Sequence, residues 1–166
     1  MTAAIRDQFS ELIDSYRQLT HYYQSIAEFG QEEVILIDQG DMEGLMSILR
    51  QKEEIMADVA KCQAKIGSIQ DAIVKEYQLE YFSLNKLLEV VDSSHRDLLD
   101  TLRRVIKQLI KELEILEKQE RIHESMLKSF AKEMNSNRVR KQARAGAKAY
   151  EKIIESKPDS DIDLKR

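Results

Sequence analysis

Glu120 and His123 stand three residues apart in the run KQERIHESM, and Glu-x-x-His on a helix sets a carboxylate and an imidazole one turn apart. That spacing is what a carboxylate-bridged di-metal centre in a helix bundle requires, but such a centre needs two of these pairs and further inward glutamates. The chain has three histidines. Asp92 and His95 repeat the spacing, His21 is preceded by Gln18 instead of an acid, and Lys52 sits where a further carboxylate would be wanted. The favoured reading makes Glu120 and His123 a polar layer in an otherwise apolar helix face, which sets register or meets a partner, and expects no metal. His95 has no serine, cysteine or carboxylate partner fixed by a motif and reads as a helix-start residue. Cys62 falls between Val59 and Ile66 on an apolar stripe, a core position for a thiol. With no Gly-rich phosphate loop, zinc pattern or G-x-S-x-G element, the chain is expected to be neither an enzyme nor a cofactor binder.

A second group able to act is the basic run Arg138, Arg140, Lys141, Arg144, Lys148 and Lys152. It interleaves with alanines and one tyrosine on an acidic chain, so a solvated or partner-facing helix is favoured over nucleic-acid binding. Residues 1–40 carry 2 basic against 7 acidic groups and residues 137–166 carry 9 against 5, a difference of −5 at one end and +4 at the other. Tyr22 and Phe82, off the main registers, are candidates for exposed contacts.

The elements that hold these residues follow from composition and period. Five glycines and one proline in 166 residues leave too few turn formers for sandwiches, barrels or doubly wound sheets. Apolar residues at 42% and charged residues at 34% fit helices with one buried stripe and charged outer faces. Ile5, Phe9, Leu12, Tyr16, Leu19, Tyr23 and Ile26 step by four and three, and the stripe is broken at Gly30 and Glu33 before it resumes at Val34 and Ile37. A first helix is expected over about 3–38, then a reversal at Gly40, with Asp41 capping the next helix. Ile48, Lys52, Ile55, Val59, Cys62, Ile66, Ile69 and Ile73 predict a second helix over about 41–75, with Lys52 its one charged intrusion. Leu99 to Met134 holds an unbroken register that predicts a third helix over 94–135. The reversal between the second and third helices has two candidate sites, Gly67-Ser68 and the capping box Ser94-His95-Arg96-Asp97, with a partly helical connection over 76–93.

Residues 136–156 form a basic segment with a thin stripe, expected as a short amphipathic helix, and 157–166 read as a disordered tail. The fold class is therefore all-α: an antiparallel bundle of about three long helices with coiled-coil-like heptads and a short C-terminal helix. No apolar run reaches about 18 residues, the N-terminus lacks a basic-then-apolar signal pattern, and the single cysteine permits no internal disulfide. A cytoplasmic protein is expected.

The hairpin IDQGDMEGLMSILRQKEEIM resembles that of the FlgN-like family of flagellar export chaperones, on Asp38, Gly40, Asp41, Leu45, Leu49, Lys52 and Glu53. The likeness extends to LIDSYRQLTHYYQSI in the first helix and KQERIHESMLKSF in the third, about 135 residues in all. It implies a chaperone that holds hook-filament junction proteins through their C-terminal helices and delivers them to the flagellar type III export gate. The partner-binding residues expected under that reading are Val139, Ala143, Ala147, Tyr150, Ile153 and Ile154. A structural coiled-coil or adaptor protein is the alternative, and the heptads leave monomer or dimer open.

Overall fold

The computed structural model describes the backbone of residues 2–155 and the side chains of residues 4–132 and 143. Four α-helices follow in order, α1 (Thr2–Gln39), α2 (Met42–Glu76), α3 (Leu84–Val90) and α4 (Arg96–Glu155), with a 3₁₀ turn at Ser93–His95 leading into the last. Among the described residues there is no strand. The all-α bundle expected from the period is the observed fold, and the chain divides into two units, Met1–His123 and Glu124–Arg166.

In the first unit α1 and α2 form a tight antiparallel hairpin. The turn works because Gly40 adopts φ 68°, a left-handed conformation that costs glycine nothing. Gly40 then donates to the Ile37 carbonyl and Asp41 to that of Leu36, which closes α1 with two reversed bonds. Asp41 serves α2 as well, since its Oδ1 accepts from the Gly44 amide at 2.9 Å. Along the hairpin, Cys62 Sγ reaches the Ser15 carbonyl, Gln70 the Tyr16 hydroxyl and Lys65 the Glu11 carboxylate, which fixes the antiparallel register.

The second reversal lies in the connection between the two candidate sites, over residues 77–95. α2 passes straight through Gly67, whose missing Cβ would meet nothing within 4 Å, and ends at Glu76. The chain turns at Gln78, φ 55°, with Gln78 donating to the Lys75 carbonyl and Leu79 to that of Val74. This is the same two-bond helix ending as at Gly40, made without a glycine. The connection is helical only over Leu84–Val90, opened by Ser83, whose hydroxyl accepts from the Lys86 amide. The expected Ser94 capping box does not form either: Asp92 takes the capping role, its Oδ1 accepting from the Ser94 amide at 3.4 Å. Asp92 reaches the Ser94 amide that Asp97 would take in a capping box, and the Ser94 hydroxyl meets His95 Nδ1 at 3.3 Å instead.

After this connection α4 returns alongside α1 and antiparallel to α2. Phe9, Leu12, Ile73, Leu87 and Leu102 are fully buried where the three long helices and α3 converge, and Phe9 stacks on Tyr77 with ring centroids 6.5 Å apart. Tyr22 and Phe82, expected as exposed contacts, pack half-buried against this core. Among the described residues the exposed aromatic is Tyr81, beneath the Lys86 ammonium at 4.1 Å, because residues 77–83 are not helical and its apparent register has no helix to belong to.

In the second unit, helix α4 continues to Glu155 without the break expected near Asn135. The thinning stripe there marks weaker apolar character, while helix continuity needs only the absence of proline and of a C-terminal glycine turn. Lys128 and Glu124 form an i,i+4 pair at 3.0 Å on this unit. The tail at 157–166 lies outside the described residues.

Candidate functional site

Three interruptions of the apolar stripes meet at one level of the first unit. Glu33 on α1, Lys52 on α2, and Glu120 and His123 on α4 form a polar layer in which Glu33 is 1% exposed and His123 4%. Lys52 Nζ lies 2.6 Å from Glu33 Oε1 and 2.6 Å from Glu120 Oε1. The other carboxylate oxygen of Glu33, Oε2, is 3.2 Å from His123 Nδ1. Burial pulls the Lys52 pKa down, but its contacts with Glu120 and Glu33 outweigh that and hold it above the ordinary lysine value.

The layer also needs room. A Cβ on Gly30 would lie 2.5 Å from Gln119 Nε2 and 2.8 Å from His123 Cε1, so the glycine leaves the space that these two side chains occupy and a larger residue would force them to shift. Gln119 uses the gap to donate to the Ala27 carbonyl at 3.0 Å.

Ligand atoms of Glu33, Glu120 and His123 all lie within 4.8 Å of one another, a set that matches a divalent-metal site in residue type. Lys52 decides against that chemistry here. Its ammonium already sits between the two carboxylates, where a metal ion would have to be, and its raised pKa keeps the charge in place. The arrangement locks three helices in one register by an internal ion cluster.

Glu120 and His123 lie beside Glu33 and Lys52 in this cluster. Its other half, Glu33 and Lys52, is visible in the sequence as one break in each of two stripes, and only the alignment of helices joins them. Asp92 and His95 do not pair: Asp92 caps the 3₁₀ turn and buried His95 meets Ser94 Oγ at 3.3 Å. His21 is exposed. Cys62 is half-buried, and burial pushes its thiol pKa up despite Lys65, the reverse of what a reactive thiolate needs. Of the expected partner-binding residues, Ala143 is exposed, and the side chains of Val139, Ala147, Tyr150, Ile153 and Ile154 lie outside the described residues.

The buried ionisable groups give the protein an alkaline limit. Burial raises the pKa of Cys62, of Tyr16 against its bond from Gln70, of Tyr23 with help from Cys62, and of Tyr77 with help from Glu76 and Asp92. Lys52 is raised by its two carboxylates. Above its ordinary value each group holds more protons folded than unfolded, so stability falls as pH rises: from 9.0 for Cys62, 10.0 for the tyrosines and 10.5 for Lys52. The urea midpoint is expected to drop between about pH 8 and about pH 10.5. An unchanged midpoint would show that these groups are not buried as described.

Together these features define a protein of the helical-bundle class with a polar cluster inside its apolar core. The sequence model described as FlgN protein matches residues 1–152, and the chain belongs to the FlgN family, a family of flagellar export chaperones and not of enzymes. No curated protein and no solved structure matches it. No helix among the described residues is long and apolar enough to cross a membrane.

Proposed function

We propose that this chain is a cytoplasmic chaperone that binds hook-filament junction proteins through their C-terminal helices and delivers them to the flagellar type III export gate. The observation that carries this reading is the family match over residues 1–152, which includes the basic segment as well as the bundle. The client-binding residues are Val139, Ala143, Ala147, Tyr150, Ile153 and Ile154. Exposed Ala143 on a helix that runs to Glu155 suits this role, because a helical face can be offered to a client without refolding. Alanine and glycine at 143, 146 and 147 have little side-chain area to offer, so anything that covers the stripe without a client is worth only a few kcal/mol at about 25 cal/mol per Å².

Two measurements test the reading together. The protein is expected to form a complex with a purified hook-filament junction protein, and Tyr150→Asp with Ile154→Asp to weaken it at least about tenfold without moving the unfolding midpoint. Amide exchange over residues 139–154 should be fast alone and slow in the complex. Strong protection of 139–154 in the isolated chain, unchanged by client, would overturn the assignment of the segment; no complex at all would overturn the function.

A further inference from the structure

On the side of the first unit away from α2, α1 and α4 enclose a groove with a cavity of about 310 Å³. It is lined by Arg17 and Thr20 from α1 and by Thr101, Arg104, Val105 and Gln108 from α4. The arginines are poorly neutralised. Arg17 has only the exposed Asp14 at 3.6 Å, and Arg104 donates to the uncharged Thr101 Oγ1 at 3.2 Å. From Thr101 to Lys111, α4 carries four cations, Arg103, Arg104, Lys107 and Lys111, and no carboxylate. Further along the same helix Arg121 pairs with Glu117 at 2.6 Å.

On α4 the face that lines the cavity runs on beyond it as an exposed one. Thr101 and Gln108 line it, and the same face of α4 recurs every seven residues at Ile115 and Ile122, which are 53% and 60% exposed. Between the two halves Glu112 is occupied by Gln108 and Gln24. The exposed side of α4 thus carries Arg104 beside its first turns and Ile115 and Ile122 over its last, and from Thr101 to Ile122 it spans about 31 Å at 1.5 Å per residue. That length is too great for a small metabolite and fits a helix of about 21 residues.

We propose that this groove is a docking site for an amphipathic helix of a partner protein, one that places carboxylates over Arg17 and Arg104 and apolar side chains over Ile115 and Ile122. Guanidinium pairs prefer carboxylates, and the apolar end gives the contact its buried area. The site is separate from the segment proposed for clients at 139–154 and stands without it. A second copy of this chain is the competing occupant, since α2 exposes Met42, Met46 and Met56 beside Glu43, Glu53 and Glu54. But α2 lies across the bundle from the groove, so copies joined that way would meet head to tail and run on into open assemblies.

The test uses the full chain and a labelled synthetic helix of 20 or so residues, with glutamates on one face of its first turns and leucines on that face beyond, and a twin with lysines for the glutamates. The glutamate peptide is expected to saturate below about 1 mM and to bind at least about tenfold more tightly than its lysine twin. Arg17→Glu with Arg104→Glu should remove that preference, and Ile115→Ser with Ile122→Ser should weaken both peptides. All four residues lie on the surface, so the thermal midpoint of each variant reports whether it folds. No binding of the glutamate peptide, equal binding of the twins, or binding untouched by folded variants would overturn the proposal. So would concentration-dependent assembly of the chain abolished by Arg104→Glu, which would assign the groove to a second copy.

Discussion

Lys52→Met is expected to destabilise the folded chain by about 3–5 kcal/mol, read as a drop in the urea midpoint at unchanged slope. The loss comes less from the missing attraction than from what is left behind. Glu33 is 1% exposed and would keep a buried charge with His123 as its one remaining polar neighbour. Glu120, being 42% exposed at its side chain, can turn to water and contributes little to the penalty. Pairing the change with Glu33→Leu should recover most of the loss, because a well-packed apolar pair of similar volume is often as stable as a buried ion pair. If Lys52→Met costs less than about 1 kcal/mol, or the double change is no better than the single, the layer is not held by charge.

Phe9→Ala should cost about 3–5 kcal/mol by removing a fully buried ring where α1, α2 and the connection to α4 meet. The ring stacks on Tyr77, the residue that ends α2, so the cavity would open beneath the second reversal. A domain of this size has about 5–15 kcal/mol in total, so the change should take about a fifth of it or more. Met56→Ala makes the control. Met56 is 47% exposed, and its truncation should stay within about 0.5 kcal/mol. Equal effects of the two substitutions would contradict the placement of the core.

Much of the bundle is legible in the residues alone because helical period is local. Side chains three and four apart share a face whatever the rest of the chain does, so the stripes of Ile5 to Ile26, Ile48 to Ile73 and Leu99 to Phe130 predict three long helices. Gly40 followed by Asp41 predicts the first reversal, since left-handed φ and a free capping carboxylate are also local demands. The second reversal was less legible because Gln78 fills a left-handed position that glycine usually holds, and nothing in its type announces it.

The candidate site divides along the same line. Each of its members is visible as a flaw in its own stripe: Gly30 and Glu33 in the first, Lys52 in the second, Glu120 and His123 in the third. That the flaws fall at one height, and that Lys52 lies between two carboxylates where a metal would otherwise bind, depends on how far each helix travels before the chain turns. Those distances are set by the lengths of α1, α2 and the 77–95 connection acting together, a sum that no window of neighbouring residues contains. The sequence by itself determined the helices and their faces; the tertiary structure alone decided which flaws became partners, because register between helices is fixed by packing across the bundle and not by period along it.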